Sequence, residues 1–320
     1  MDLPTERVKA IAKVAISLAL LAAVVAGVGS DALIAALRGL TPSSWILATV
    51  YLWLAYAVGC VRWWRWVRLT EQPLGFGLAA SSYGSSIFFN LVLPTGVGGD
   101  LVRTWELARA GCDFGALLAT AIIDRVVGLA AAVVLALAML ATVPHALASY
   151  APSAWWLLLG SATALAIGYA TYPAFESKIL SRLASQAHAA SAVLGTMGAS
   201  FRRCRIRYDA LAIALVLSLL AHGLITLSYV ELARALGIEL SLGHFLLIIP
   251  LVFIAQTIPI ALGGLGLREA ALVVLLLDAG VARDEATALS MVFLVVLWLS
   301  VLPGGLWAVY KWTRRRKDLA

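Results

Sequence analysis

The sequence predicts an all-α fold, a polytopic helical membrane protein, and three observations predict it. Hydrophobic residues fill 62% of the 320 positions and charged residues 13%, against about 25% charged in an ordinary soluble domain. The mean hydropathy is +0.95, and many apolar runs are continuous over the ~20 residues a helix needs to cross a hydrocarbon core. A transmembrane barrel would instead show ~10-residue alternating segments. The net charge of +7 is gathered in short basic segments beside those runs, which is how a cytoplasmic face is marked. No base-reading or base-stacking module accompanies the charge, so no nucleic-acid partner is expected.

Apolar runs lie near 11–28, 43–61, 75–93, 114–142, 154–172, 208–230, 244–262, 270–280 and 286–310. The run from Ile11 to Val28 is long for a cleaved signal and has no clear small-x-small site before Asp31, so it reads as a retained span. Arg7, Lys9 and Lys13 lead into it, and Arg62, Arg65 and Arg68 follow the second run. Lys178, Arg182, Arg202, Arg203, Arg205 and Arg207 fill the connection 173–207, and residues 311–320 form a basic tail. Segment 29–41 holds only Arg38, 231–243 only Arg234, and 143–153 no basic residue. Both termini, the linker 173–207 and the tail are therefore expected on the cytoplasmic side of the cell inner membrane. The linker reads as a helix or connection lying on anionic lipid. The run Arg62-Trp63-Trp64-Arg65-Trp66-Val67-Arg68 reads as an interfacial anchor, Trp at headgroup level and Arg snorkelling, with headgroup recognition as the alternative reading.

Parity constrains the crossings. Segments 62–72 and 101–112 are both basic, yet one apolar run separates them. If 75–93 and 97–110 enter and leave on the same side, the conflict disappears. The same logic makes 244–262 and 266–280 a second hairpin from the opposite side. The expectation is one transmembrane domain over 1–320 with six full spans plus two re-entrant broken-helix hairpins. They fall into an inverted-topology repeat of about 1–142 and 153–310, each half making three net crossings.

The two hairpin tips carry the same pattern. One reads Pro94-x3-Gly98-Gly99-x3-Arg103 and the other Pro259-x3-Gly263-Gly264-x3-Arg268. Paired Gly/Pro-interrupted segments in inverted halves point to a transporter-type site near the midplane. Proline ends a half-helix and glycines permit the tight turn. The next half-helix then presents free N–H groups and a positive dipole end. With Arg103 and Arg268 on those first turns, two such ends make an electropositive pocket suited to phosphate, which Arg can grip bidentately. A second reading stays open: the glycines permit close helix packing, and the arginines pair with Asp100, Glu106 and Glu269.

Other embedded polar groups divide the same way. Asp124 and Arg125 are adjacent on a helix and point about 100° apart, so each should meet a partner on another helix. His222 reads as a hydrogen-bonded interior histidine that could also titrate or bind substrate. Asn90 and Gln256 precede the tip prolines, placed either to contact ligand or to bond freed backbone. Cys60, Cys112 and Cys204 are scattered, His145, His188 and His244 share no ligand spacing, and no metal or cofactor is expected.

The stretch from Asn90 through Pro94, Gly98, Gly99 and Asp100 to Arg103, the pair Asp124-Arg125, and the run from Pro259 through Gly263 and Gly264 to Arg268 and Glu269 together resemble the lysylphosphatidylglycerol synthase transmembrane-domain family, also called flippase-like. The resemblance spans about residues 10 to 310. In two-part relatives a soluble aminoacyl-transferase lysylates phosphatidylglycerol and the membrane part is implicated in moving the lipid between leaflets. The chain ends soon after residue 310, so a stand-alone membrane part is expected and lysyl transfer is not. The resemblance implies a flippase or transporter for an anionic-headgroup membrane lipid. No Gly-x4-Gly-Lys-Ser/Thr loop is present, so movement would be downhill, ion-coupled or dependent on a partner. A membrane-embedded transferase acting on a lipid or polyprenyl-phosphate-linked sugar is the alternative. An accessory subunit that scaffolds a lipid-modifying enzyme is a third, and a second copy of the chain or such an enzyme is the candidate protein partner. The substrate-binding candidates are Asn90, Pro94, Gly98, Gly99, Asp100, Arg103, Glu106, Asp124, Arg125, Gln256, Pro259, Gly263, Gly264, Arg268 and Glu269.

Overall fold

The computed structural model describes residues 39–93, 97–142, 156, 158–163, 188–258 and 264–317. The expected span 11–28, most of 154–172, and the tip residues Pro94, Pro259 and Gly263 lie outside these. The described residues include the α-helices α1 (Pro42–Leu69), α2 (Phe76–Val92), α3 (Gly98–Ala108), α4 (Phe114–Thr142), α5 (His188–Arg205), α6 (Tyr208–Ala235), α7 (Leu242–Gln256), α8 (Leu267–Asp278) and α9 (Arg283–Lys317). Helix α1 begins where Thr41 accepts from the Ser44 N–H and Pro42 occupies the first helical turn, both standard start signals.

Helices α1, α4, α6 and α9 are long and apolar enough to cross a membrane. The shortest of them, at 28 residues, reaches about 42 Å at ~1.5 Å per residue, beyond the ~30 Å of a hydrocarbon core. Helices α2, α3, α7 and α8 hold 17, 11, 15 and 12 residues, so none alone reaches ~30 Å at ~1.5 Å per residue. They form two broken pairs, α2 packed on α3 and α7 on α8. Helix α2 stops as Leu93 turns extended (φ −81°, ψ 142°), the conformation required of a residue before proline. In the second pair Gly264 and Gly266 both take φ +80°, a left-handed conformation glycine adopts without steric cost.

Packing follows small residues. A Cβ on Gly99 would stand 1.8 Å from the Ser86 carbonyl oxygen, and one on Gly304 would stand 2.1 Å from that of Gly84. Helices α2 and α3, and α2 and α9, therefore meet backbone to backbone, as small residues allow in membrane bundles. The main core gathers Leu52, Ala132, Tyr229, Leu247, Leu276 and Val292 from α1, α4, α6, α7, α8 and α9. Exchange α1 with α6, α2 with α7, α3 with α8 and α4 with α9, and each substantial packing among these eight helices maps onto another: α2–α9 onto α7–α4, α3–α4 onto α8–α9, α1–α4 onto α6–α9.

The Arg62–Arg68 run continues the second apolar run as one helix. It is the last part of α1, with Trp63 and Trp66 fully buried and Arg62 turned into the bundle. Trp63 packs with Ala79, Leu107 and Leu117 of α2, α3 and α4, and Trp66 with Ile123 and Ala210 of α4 and α6, while Arg65 and Arg68 stay exposed. The connection 173–207 is described from residue 188, where α5 packs against α4. A Cβ on Gly115 would meet the Val193 carbonyl oxygen at 2.3 Å, so this part of the connection is a helix in close contact with α4.

Candidate functional site

Two adjoining cavities of about 310 and 470 Å³ open between the broken pairs and share Tyr56, Asn90, Arg125, His222, Phe253 and Thr257. Gln256 and Arg268 line the smaller one, and Arg62, Asp100, Arg103 and Asp124 the larger. Residues beside both breaks thus face connected space.

Each arginine is held by a carboxylate. Arg62 on α1 grips Asp124 on α4 through two bonds, Nε to Oδ1 at 2.6 Å and Nη2 to Oδ2 at 2.9 Å, while Nη1 donates to Ser218 on α6 at 2.8 Å. A planar guanidinium with two parallel donors fits that geometry. Arg125, half-exposed, donates through Nε to Asp100 Oδ2. Asp100 also takes Arg103 at 3.1 Å, so one carboxylate serves two cations. Asp124 and Arg125 are adjacent yet meet partners on different helices.

Arg103 is 2% exposed, with its guanidinium 4.1 Å from the Trp63 ring centroid and 5.2 Å from that of Tyr83. Aromatic faces offset part of the cost of burying it. Arg268 donates from Nε and Nη2 to Glu269 Oε1, and its Nη1 makes no hydrogen bond among the described residues. Glu269 also holds backbone, since its Oε2 accepts from the Gly266 N–H at 2.6 Å and so closes the first turn of α8. Among the described residues Arg62, Arg103, Arg125 and Arg268 face Asp100, Asp124 and Glu269, four cations against three anions.

Asn90 accepts from the Gly99 N–H at 2.9 Å and from Arg125 Nη2 at 3.4 Å. It satisfies one of the donors that the start of α3 leaves open and fixes the arginine beside it. His222 meets the Gly128 carbonyl oxygen through Nε2 at 3.1 Å, which makes Nε2 the protonated nitrogen, and sits edge-on to Phe253.

Of the expected residues, Asn90, Asp100, Arg103, Asp124, Arg125, Gln256 and Arg268 are brought together on the cavities. Gly98, Gly99 and Gly264 sit just behind them, and Glu269 acts through Arg268. Glu106 does not join: it faces away and pairs with Lys311 at the end of α9. Sequence reasoning missed Arg62, Tyr56 and Ser218. A buried Asp124 needs a cation on a neighbouring helix, and that requirement was the one available signal for Arg62.

Long apolar helices, two broken pairs and ion pairs sunk among them define a multi-pass helical membrane protein. Residues 10–304 match the family described as the lysylphosphatidylglycerol synthase TM region, and the chain belongs to that family. Membership attaches it to lipid-related work in the membrane. No curated protein matches the chain.

Proposed function

We propose that the protein is a lipid flippase of the cell inner membrane, moving an anionic-headgroup lipid between leaflets through the space between the two breaks. The observation that carries this is a surplus cation among the described residues: four arginines stand against three carboxylates around a lined cavity, which favours a negatively charged group there. Arg125 and Nη1 of Arg268, which makes no hydrogen bond among the described residues, are the donors placed to meet a phosphate. The mostly apolar remainder of the wall suits an acyl or glycerol portion. In this reading both broken pairs act as re-entrant hairpins in halves of opposite topology with both termini cytoplasmic, and the exchange of packings between α1–α4 and α6–α9 supports a twofold internal repeat. Alternating exposure to each leaflet follows from such halves.

The test is reconstitution in liposomes carrying headgroup-labelled phosphatidylglycerol or phosphatidylcholine, with leaflet exchange followed by membrane-impermeant quenching. Exchange of the anionic lipid should exceed that of the zwitterionic one. Arg125→Gln and Arg268→Gln should each slow it about tenfold or more, the size of one lost charge-assisted hydrogen bond. Wild-type rates in both folded variants would refute the pocket. A new lipid product would indicate a transferase instead, and neither exchange nor product an accessory subunit.

A further inference from the structure

A third cavity, of about 200 Å³, lies where the end of α1 meets the start of α6. Its lining includes Arg62, Arg65, Arg68 and Arg207, with Asp209 the one carboxylate. Two of the four cations are already neutralised. Arg62 is held by Asp124, and Arg207 grips Asp209 through two bonds of 3.0 and 2.8 Å. Arg65 and Arg68 have no carboxylate partner among the described residues. Arg68 instead stacks over the Trp64 ring at 5.2 Å. A concave site with a surplus of two positive charges, a rigid helical base and an apolar wall ending in Leu217 is therefore present outside the central space.

We infer that this cavity is a second anion site, taking a phosphate group on the forks of Arg65 and Arg68. Its base is fixed because Trp63 and Trp66 are buried on the neighbouring faces of the same turns, so the arginines project from a helix that cannot roll. Arg62, pinned by Asp124 and Ser218, lines both this cavity and the larger central one. The site depends on residues at the end of α1 and stands whether or not the central cavity carries lipid.

The phosphate could come from a membrane phospholipid or from free phosphate, and two measurements separate them. Protein in phosphatidylcholine nanodiscs supplemented with phosphatidylglycerol is analysed by native mass spectrometry for retained anionic lipid. Inorganic phosphate is titrated calorimetrically into the detergent-solubilised protein. Arg65→Gln with Arg68→Gln should weaken binding about thirtyfold, the summed attraction of two arginines for an anionic interface, with a steep loss at raised salt. Arg65→Lys with Arg68→Lys should restore much of it. Both arginines are exposed, so folding is not at stake. Loss confined to the lipid measurement assigns a lipid headgroup, and loss confined to the titration assigns free phosphate; either supports the site. Equal retention and equal heats for wild type and the glutamine variant would overturn it. The same comparison made on an Arg268→Gln background keeps this result apart from the fate of the central cavity.

Discussion

Asp124→Ala is the sharpest perturbation of the bundle. The carboxylate is 5% exposed and takes two bonds from Arg62, whose third donor reaches Ser218, so one side chain ties α1, α4 and α6 together. Removing it leaves a guanidinium among apolar helices with a single hydroxyl partner. Breaking one member of a buried pair costs about 3–5 kcal/mol, most of it the stranded charge. Arg62 lines two cavities that water can enter, which places the expected loss near ~3 kcal/mol, the lower end of that range. Arg62→Leu with Asp124→Leu removes both charges, and its cost should fall to about 1 kcal/mol or less because nothing charged remains buried. The assay is reversible unfolding in mixed micelles with increasing SDS, followed by tryptophan fluorescence and circular dichroism. If the single and double variants lose equal stability, the stranded-charge account is wrong. If Asp124→Ala loses under about 1 kcal/mol, the pair does not hold the helices.

Gly99→Ala should destabilise by about 3 kcal/mol or more, because overpacking forces backbone to shift and the neighbour its Cβ meets at 1.8 Å is a carbonyl that cannot yield. Gly304→Ala should behave alike, while Gly77→Ala, with nothing within 4 Å, should gain about 0.5–1 kcal/mol from helix propensity; SDS unfolding midpoints rank all three. Cys204 is 1% exposed and burial pushes its thiol up to about 11, so at about pH 8 it is neutral as well as sheltered. With Cys60 and Cys112 also buried, maleimide should label the folded protein slowly and all three thiols after denaturation. Full labelling of the folded protein within minutes would refute that burial.

Much of the site was legible because it is local. The Pro-x3-Gly-Gly-x3-Arg pattern marked both breaks, and embedded Asp124-Arg125 announced ion pairs by the cost of leaving either alone. Partner choice was not legible. Asp100 is near Arg103 in sequence but also serves Arg125, and Glu106 turns to Lys311, 205 positions away, because a helix face is fixed by tertiary packing and not by spacing alone. The burial of Trp63 and Trp66 within 62–68 was not legible for a related reason. A basic, Trp-rich flank has the composition of a membrane interface, and only the unbroken course of α1 shows which turns face inward. Helix class and span lengths, which depend on continuous hydropathy, agree for the four long helices described.

The crossing of α2 over α9 at Gly84 and Gly304 restricts how the molecule can deform. The tightest contacts of α2 run to α3 and to α9, and α7 leans on α4; each broken pair is clasped by a long helix from the far half of the chain. Cutting the molecule at its sequence midpoint would shear both clasps. A cut that keeps α2 with α9, and α7 with α4, leaves them whole. The two halves interlock like clasped hands, and any large motion has to carry each finger along with the palm that grips it.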